Sequence, residues 1–527
     1  MPVSTPVPAD QSSLDLPAAI PHRSFQAEMG RVSRQSGIVF AGTIFTAVLA
    51  YIFKIYLARV LGASALGIYA LGMTIIGFLG IGNVLGLPDA AMRFVAQYAA
   101  SENFAALRSL LWKGAALLLT GNLVFGALLL EAGPWIATHF YHSPQLIRYL
   151  PLFAAIMITG ALSSFFGKVV AGYKEVGQRT MITHFISSPL TMAVAVVLIA
   201  LGGGLRGYLV AQVLASVVVL ALLVGLSWRL TPVAARSLNL RKVSLAPEVW
   251  SFSAAMFGIR LMEFVMSQSD RVALGYFRGA REVGIYSLAA AVIAYETVIL
   301  QSVNQIFAPV IADLHTRGEK ILLGRMFQTL TKWMLGLTLP LAMVAIVFAR
   351  PVMRIFGHDF AIGWPILIVG TLGQLVNCGV GSVGFLLLMS GHQRRLIRVQ
   401  AVMAVVMVGL SLCMVPLWGA WGAALAAAAT NIGVNLWNLV EVKSTLRLSP
   451  YNRSYMKLLP PLGVTLLTIL LMSRASIFLR VEAMNLVLTL ALAYAVFVAS
   501  AFSMGLDADD RLIAEAVWSR VRQAFGL

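Results

Sequence analysis

Residues 62–71 read GASALGIYAL, and residues 279–288 read GAREVGIYSL. Six of the ten positions are identical, and we call the step along the chain from Gly62 to Gly279 the repeat offset. A weaker match at nearly the same offset pairs AGY at 171–173 with SGH at 390–392. Matches at nearly one offset indicate that the chain contains an internal duplication, which limits the folds that it can adopt.

The composition is that of a membrane protein. Of the 527 residues, 59% are hydrophobic and 11% are charged, whereas a typical soluble domain is about 25% charged. Apolar runs recur from residue 37 to residue 505, and many exceed the roughly 18–20 residues that a bilayer-spanning helix needs. We therefore predict an all-α polytopic membrane protein. A soluble enzyme, a disordered scaffold and an outer-membrane barrel with alternating strands of about ten residues are excluded.

We predict about 14 transmembrane helices, of which the first twelve form two lobes of six. Because six is an even number, the two lobes are parallel, that is, they have the same orientation in the membrane. The last two helices lie outside the duplication. The predicted spans are 37–60, 66–87, 107–130, 146–170, 179–201, 206–228, 248–274, 283–308, 326–348, 362–389, 396–417, 420–441, 456–474 and 484–505.

The domain organisation follows from these spans. The N-lobe covers 31–228 and the C-lobe covers 246–443, and a cytoplasmic linker joins them. The predicted flanking segments are a disordered cytoplasmic N-terminus (1–30), the linker (229–245), the pair of C-terminal helices (444–505) and a cytoplasmic tail (506–527).

The duplication points to transport. Parallel repeats related by an axis along the membrane normal are typical of transporters, in which the substrate site lies where the repeats meet. No connection between spans is long enough to hold an extramembrane catalytic domain. We therefore expect a transporter rather than an enzyme, with no catalytic residues, no cofactor and no metal site.

Positive charge is distributed unevenly across the predicted topology. Of the 39 Lys and Arg residues, 25 lie on the side of the two termini, nine lie on the other side, and five lie within or near spans. The positive-inside rule then places both termini in the cytoplasm. The net charge of +18 therefore reflects topology and lipid headgroups, not nucleic-acid binding.

Several charged residues lie inside predicted spans, where each costs about 2.5–3.5 kcal/mol at the helix centre. All of the deep ones fall in spans 1, 7 and 8, which begin the two repeats. We expect these helices to face one another, so that the charges line one water-filled pocket. The residues are Lys54 in the outer half of span 1, Arg260 and Glu263 near the midplane of span 7, and Glu296 near the midplane of span 8. Span 7 also carries Asp270 and Arg271 near its outer end.

Each of these residues has a functional and a structural interpretation. Lys54 and Arg260, together with Arg59 at the outer end of span 1, are candidates for binding an anionic substrate. Glu296 is the first candidate for ion coupling, and Glu263 and Asp270 are further candidates. Structural alternatives remain open, because Lys54 could extend to the outer interface and Arg260 could pair with Glu263 on the same helical face.

Residues 37–99 resemble the opening of the Wzx-type polysaccharide flippases, which belong to the multidrug/oligosaccharidyl-lipid/polysaccharide exporter superfamily. The similarity lies in YLARVLG at 56–62, GIY at 67–69 and GLPDAAMRFVA at 86–96. It implies two six-helix lobes around a central cavity that spans 1, 2, 7 and 8 line. In some flippases of this superfamily, including lipid II flippases, the last two spans form a groove for a lipid tail.

The same resemblance implies a bacterial inner membrane as the location and a lipid-linked oligosaccharide as the substrate, moved from the cytoplasmic to the outer leaflet for cell-surface polysaccharide export. An undecaprenyl-pyrophosphate sugar has an anionic head that suits a cationic cavity, while its tail stays in lipid. The expected partners are this substrate, membrane lipids, and H⁺ or Na⁺ as the coupling ion. We expect a monomer, with contacts to polysaccharide assembly proteins left open.

Two other functions remain open at this point. A cation-coupled multidrug exporter of the same superfamily would need an acidic or aromatic pocket for cationic drugs. A membrane enzyme, such as a polysaccharide polymerase or a lipid-sugar glycosyltransferase, would need a large external loop or a pair of loop carboxylates. Asp509-Asp510 is the only adjacent pair, and it lies on the predicted cytoplasmic tail.

Overall fold

The computed structural model describes residues 22–236, 246–475 and 482–503. Every regular element within these ranges is a helix, which confirms the all-α prediction. The first helix begins at His22, so residues 22–30 of the segment predicted to be disordered are helical. Residues 1–21, most of the predicted linker (237–245) and the predicted tail (506–527) lie outside the described residues.

The N-lobe consists of seven α-helices joined by short π-helical and 3₁₀ segments. Two π-helical segments, Met181–Ile186 and Ile199–Gly203, flank α6. The helices are α1 (His22–Val84), α2 (Leu87–Ala100), α3 (Phe104–Trp135), α4 (Leu150–Gly172), α5 (Val176–Thr180), α6 (Ser187–Leu198) and α7 (Gly204–Leu230).

The segment predicted as the C-lobe contains eight α-helices, α8 to α15, and two further helices follow it. The helices are α8 (Pro247–Arg278), α9 (Ala280–Thr316), α10 (Lys320–Val347), α11 (Ala349–Arg354), α12 (Trp364–Val380), α13 (Val383–Met389), α14 (Gln393–Trp418), α15 (Ala420–Thr445), α16 (Leu459–Ala475) and α17 (Glu482–Ser503). Ile469 of α16 and Leu486 of α17 pack with Val344 and Phe348, so the last two helices lie against α10 of the C-lobe.

Twelve helices in the described part of the chain are long and apolar enough to cross a membrane. Two of these stretches contain a glycine with non-helical dihedral angles. Gly62 interrupts α1 with φ 77° and ψ 175°, and Gly202 interrupts the stretch from Val176 to Leu230 with φ 85° and ψ 8°. Positive φ values of this kind are accessible to glycine because it has no Cβ. The total of 14 spans stays a prediction.

The two copies of the duplicated motif pack directly against each other. A Cβ atom on Gly67 would overlap the backbone carbonyl of Ala280, and a Cβ atom on Gly284 would overlap the backbone carbonyl of Ala63. The repeat offset relates Ala63 to Ala280, and it relates Gly67 to Gly284 in the same way. The contact is therefore reciprocal, as expected for repeats related by a two-fold axis. We call the end of the molecule at which Ala63 and Gly67 contact Gly284 and Ala280 the glycine face.

Adding a methyl group to this contact should destabilise the protein. We expect Gly284→Ala to lower the free energy of unfolding by about 1–3 kcal/mol, because overpacking forces two helix backbones apart. Gly80→Ala on α1 is the matched control, since a Cβ atom there meets nothing within 4 Å. That control should gain about 0.5–1 kcal/mol from helix propensity. Thermal unfolding in detergent measures both effects, and equal stability of the two variants would contradict the contact.

Candidate functional site

A cavity of about 580 Å³ lies between the two lobes, close to the glycine face. Helices α1, α6 and α7 of the N-lobe and α8 and α9 of the C-lobe supply its walls. Two of the lining residues, Lys54 and Arg271, are cationic, and none of the lining residues is acidic. The remaining polar lining consists of Tyr69, Thr74, Ser187, Ser188, Thr191, Tyr208, Gln268 and Ser287.

The two cations of the cavity occupy equivalent positions in the repeats. Lys54 lies eight residues before Gly62, and Arg271 lies eight residues before Gly279, so the repeat offset relates one cation to the other. At about 1.5 Å per helical residue, Lys54 is about 12 Å from Gly62, and Arg271 is about 12 Å from Gly279. The two-fold relation between the repeats therefore brings one cation from each lobe to the same level of the cavity.

Hydrogen bonds hold the Arg271 side chain in place and leave one of its N–H donors unused. Its Nη1 donates to Gln268 Oε1 at 2.7 Å and to the carbonyl oxygen of Ser267 at 3.2 Å. Its Nε is buried and has no hydrogen-bond partner among the described residues. Lys54 forms no ion pair with any residue that the structure describes. The buried Asp270 next to Arg271 offsets part of its charge, but the cavity lining itself contains two cations and no carboxylate, which favours an anionic ligand.

The equivalent tyrosines Tyr69 and Tyr286 have different partners in the two lobes. In the N-lobe, Gln212 Nε2 donates to Tyr69 Oη at 2.9 Å and to Tyr208 Oη at 3.0 Å. In the C-lobe, Tyr286 Oη donates a short hydrogen bond to Asp270. The other oxygen of Asp270 accepts from the backbone amide of Arg271 at 2.7 Å. Asp270 is buried and does not line the cavity.

Arg260 and Glu263 lie in a separate ion cluster. Arg260 contacts Asp89 at 3.1 Å and Glu263 at 3.1 Å, and Lys168 contacts the other oxygen of Asp89 at 2.9 Å. Asp89 lies in the first turn of α2, so the cluster joins the N-lobe to α8 of the C-lobe. Burial tends to raise the pKa of the Asp89 carboxyl, but hydrogen bonds from Lys168 and Arg260 outweigh it and hold that pKa below its usual value.

Glu296 lies within the C-lobe, between α9 and α12. Only 2% of its surface is exposed. One carboxylate oxygen, Oε1, accepts a hydrogen bond from Thr371 Oγ1 at 2.7 Å. The other oxygen, Oε2, is buried without a partner among the described residues. A buried carboxylate with a free oxygen can take up a proton or a small cation.

Arg59 connects the lobes at the glycine face instead of lining the cavity. Its Nε donates to the carbonyl oxygen of Ile355 at 2.7 Å, and Ile355 directly follows α11 of the C-lobe. Its side chain is not part of the cavity wall. The structure therefore places Arg59 in a contact between lobes, and only Lys54 among the three predicted substrate-binding residues faces the cavity.

The structure does not bring all of the deep charges into this one cavity, for two geometric reasons. Arg260 lies eight residues before Gln268 on α8, which places it about 12 Å further along the helix axis. Glu296 lies on another face of α9, because the cavity-lining stripe is formed by Gly284, Ser287, Leu288 and Ala291. At about 100° per residue, Glu296 is rotated by about 130° from the centre of that stripe.

Comparison with known families assigns most of the chain. A family model described as "Polysaccharide biosynthesis protein" matches residues 32–315, which is more than half of the sequence. A second family model, MatE, matches residues 255–418. No curated protein sequence matches this chain.

Solved structures share the fold at low sequence identity. The lipid II flippase MurJ in an inward closed conformation is 16% identical, with a TM-score of 0.69, and the match covers 88% of this chain and 98% of MurJ. An inward-facing multidrug resistance transporter of the MATE family is 16% identical, with a TM-score of 0.63, over 76% of this chain and 95% of that one.

A transporter of the MOP superfamily from Pyrococcus furiosus is 15% identical, with a TM-score of 0.53, over 79% of this chain and 95% of that one. At these identities the structural matches establish the fold of a polytopic transporter, and the family model establishes the family. This chain belongs to the polysaccharide biosynthesis protein family.

Proposed function

We propose that this protein is a flippase, which carries an undecaprenyl-pyrophosphate-linked oligosaccharide from the cytoplasmic to the outer leaflet of a bacterial inner membrane. The observation that carries this proposal is the pair Lys54 and Arg271, which face one interlobe cavity whose lining contains no acidic residue. Membership of a polysaccharide biosynthesis family and the fold shared with a lipid II flippase support it.

The chemistry of the cavity matches a pyrophosphate head. A pyrophosphate has two phosphates side by side, and the repeat-related cations Lys54 and Arg271 offer one positive charge to each. Charge-assisted hydrogen bonds of this kind are about twice as strong as neutral ones. The serine, threonine and glutamine side chains of the lining can donate to or accept from sugar hydroxyls. The apolar tail can remain in the bilayer throughout the cycle.

Alternating access requires two contacts between the lobes to open in turn. The first is the reciprocal glycine contact at the glycine face. The second is the Asp89 cluster. Its Arg260 lies about 28 Å along α8 from Gly279, which marks the glycine face. The positive-inside rule assigns the glycine face to the outer side, so that both termini are cytoplasmic. The protein would work as a monomer, alongside polysaccharide assembly proteins.

A cation-coupled multidrug exporter is a weaker candidate. The MatE family match favours it. However, Lys54 and Arg271 would repel a cationic drug from the cavity, and no acidic residue in the lining would attract it. Transport of cationic dyes is therefore the measurement that separates the two functions.

Removing the cavity cations should slow transport of the lipid-linked oligosaccharide. We expect Lys54→Gln and Arg271→Gln each to reduce the transport rate in proteoliposomes by about tenfold to a hundredfold, since a hydrogen bond to a charged group contributes about 1.5–3 kcal/mol. Arg206→Gln is the matched control, because Arg206 is exposed at the start of α7 and does not line the cavity. Unchanged transport by both cavity variants, or efficient transport of cationic dyes by the wild type, would overturn the assignment.

The Asp89 cluster should contribute stability that depends on pH. The pKa of Asp89 is lowered in the folded protein. Its contribution is therefore present above the usual aspartate pKa and is lost as the pH falls through the lowered value. We expect Asp89→Asn to reduce stability by about 1 kcal/mol at neutral pH, because the cluster is partly exposed. The difference from wild type should vanish in strong acid.

The matched control is Asp313→Asn, which removes an exposed i,i+4 pair with Arg317 and should cost less than about 0.5 kcal/mol. Thermal unfolding measured across a series of pH values tests both variants. A stability loss in Asp89→Asn that stays constant down to strong acid would show that the ion cluster is not its source.

We also propose that Glu296 carries the coupling ion, either H⁺ or Na⁺. A charge that crosses the membrane gains about 2.3 kcal/mol per 100 mV, so an ion that accompanies the substrate can bias the direction of the cycle. Loading of the free Oε2 with a cation would neutralise Glu296 within the C-lobe. Glu263 and Asp270 remain further candidates for this role.

Glu296→Gln should make transport insensitive to imposed proton and sodium gradients while substrate binding persists. Glu131→Gln provides the control, because Glu131 is an exposed acid on α3. Transport by vesicles with opposing gradients is the measurement. If Glu296→Gln keeps the gradient dependence and Asp270→Asn loses it, the coupling group is Asp270 and the assignment to Glu296 is wrong.

A further inference from the structure

A second, larger cavity of about 660 Å³ lies where the two lobes meet, between α1 and α3 of the N-lobe and α8 and α14 of the C-lobe. Its walls are almost entirely apolar and rich in aromatic side chains. The aromatic residues include Phe78, Trp135, Phe140, Phe264, Tyr276 and Phe277. Neither α16 nor α17 contributes to its lining, so the cavity is distinct from any groove between the last two helices.

The cavity is open to the surrounding membrane. Trp135 and Leu412 line it while leaving 61% and 54% of their surfaces exposed. An apolar chain in the bilayer can therefore enter from the side without crossing water. The free energy of burying apolar surface in a bilayer is small, so shape and length decide which chain is retained.

The apolar cavity adjoins the cationic cavity through one side chain. Thr74 lines both cavities. Its Oγ1 donates to Gln268 Oε1 at 3.4 Å, and the same Gln268 oxygen accepts from Arg271 Nη1 at 2.7 Å. The buried Thr74–Gln268 contact is therefore the boundary between the two cavities. A ligand with its anionic head at Arg271 would place the start of its apolar chain at this boundary, and opening the contact would admit the chain to the aromatic cavity.

The apolar path continues along α8. A third cavity of about 550 Å³ between α8 and α14 shares Val408 with the aromatic cavity and begins at Gly258. A chain that starts at the level of Gln268 follows α8 for about 15 Å to reach Gly258, which is about half of the thickness of about 30 Å of a bilayer core.

We propose that this path, which we call the α8–α14 groove, binds the isoprenoid tail of the lipid-linked substrate while the pyrophosphate occupies the cationic cavity. The inference rests on the proposed flippase function and adds a site for the tail. It assigns the aromatic side chains at the lobe boundary to recognition of the carrier lipid. It also predicts that tail length contributes to substrate selection.

The test compares two synthetic substrates with the same oligosaccharide pyrophosphate head, one on an undecaprenyl chain and one on a chain of two isoprene units. Ala132→Trp fills the aromatic cavity, which Ala132 lines. Gly409→Leu fills the second part of the groove, since a Cβ atom on Gly409 meets nothing within 4 Å. Leu123→Trp is the control on α3, because Leu123 is exposed and outside the groove.

We expect Ala132→Trp and Gly409→Leu to reduce transport of the undecaprenyl substrate at least tenfold and to change transport of the short-chain substrate less than twofold. Leu123→Trp should change neither. Thermal unfolding of each variant verifies that it is folded. If wild type transports both substrates and the two filling variants affect both equally, or neither, the groove is not the tail site although the flippase function stands.

A wild type that transports neither substrate would overturn the flippase function and the groove together. Photo-crosslinking provides a direct readout of the occupant, with a photoreactive residue in place of Leu412 during turnover. Capture of the undecaprenyl substrate supports the proposal. Capture of phospholipid alone would overturn it.

Discussion

The contact of two helix backbones at the glycine face determines the rest of the arrangement. Gly67 and Gly284 allow this approach because neither has a Cβ atom, and each opposes an alanine of the other repeat. Such close contact fixes the rotation and height of α1 relative to α8 and α9. Lys54 and Arg271 therefore meet at one level, and the cavity between the lobes becomes cationic because of the duplication itself.

A second consequence of the duplication is that the two lobes can take different tasks. The N-lobe tyrosine Tyr69 has a neutral glutamine partner, whereas the equivalent Tyr286 has the buried carboxylate Asp270. Glu296 adds another buried carboxylate to the C-lobe. Both lobes thus contribute to the cationic cavity, while the two buried acids found among the described residues lie in the C-lobe. In the proposed mechanism, the shared cavity binds the anionic head and the C-lobe senses the coupling ion.

The class of fold could be predicted from the sequence because hydrophobic runs and a duplicated motif are properties of the chain itself. The site could be predicted only in part. Lys54 was found from its position in a span, and Arg271 could have been chosen with it, since the repeat offset relates the two. Arg260 and Glu296 lie outside the cationic cavity, which the sequence could not indicate because distance along α8 and rotation around α9 matter only once the helices pack. The role of Asp89 required knowledge of which helix end faces α8.

In the proposed mechanism, Lys54 and Arg271 together bind the pyrophosphate of a lipid-linked oligosaccharide. A cryo-electron microscopy structure of the protein in a lipid nanodisc with this substrate would show where the phosphates lie. We expect phosphate density within about 4 Å of both the Lys54 ammonium and the Arg271 guanidinium, the usual limit for an ion pair. Phosphate density bound outside the interlobe cavity, with both cations free, would contradict it.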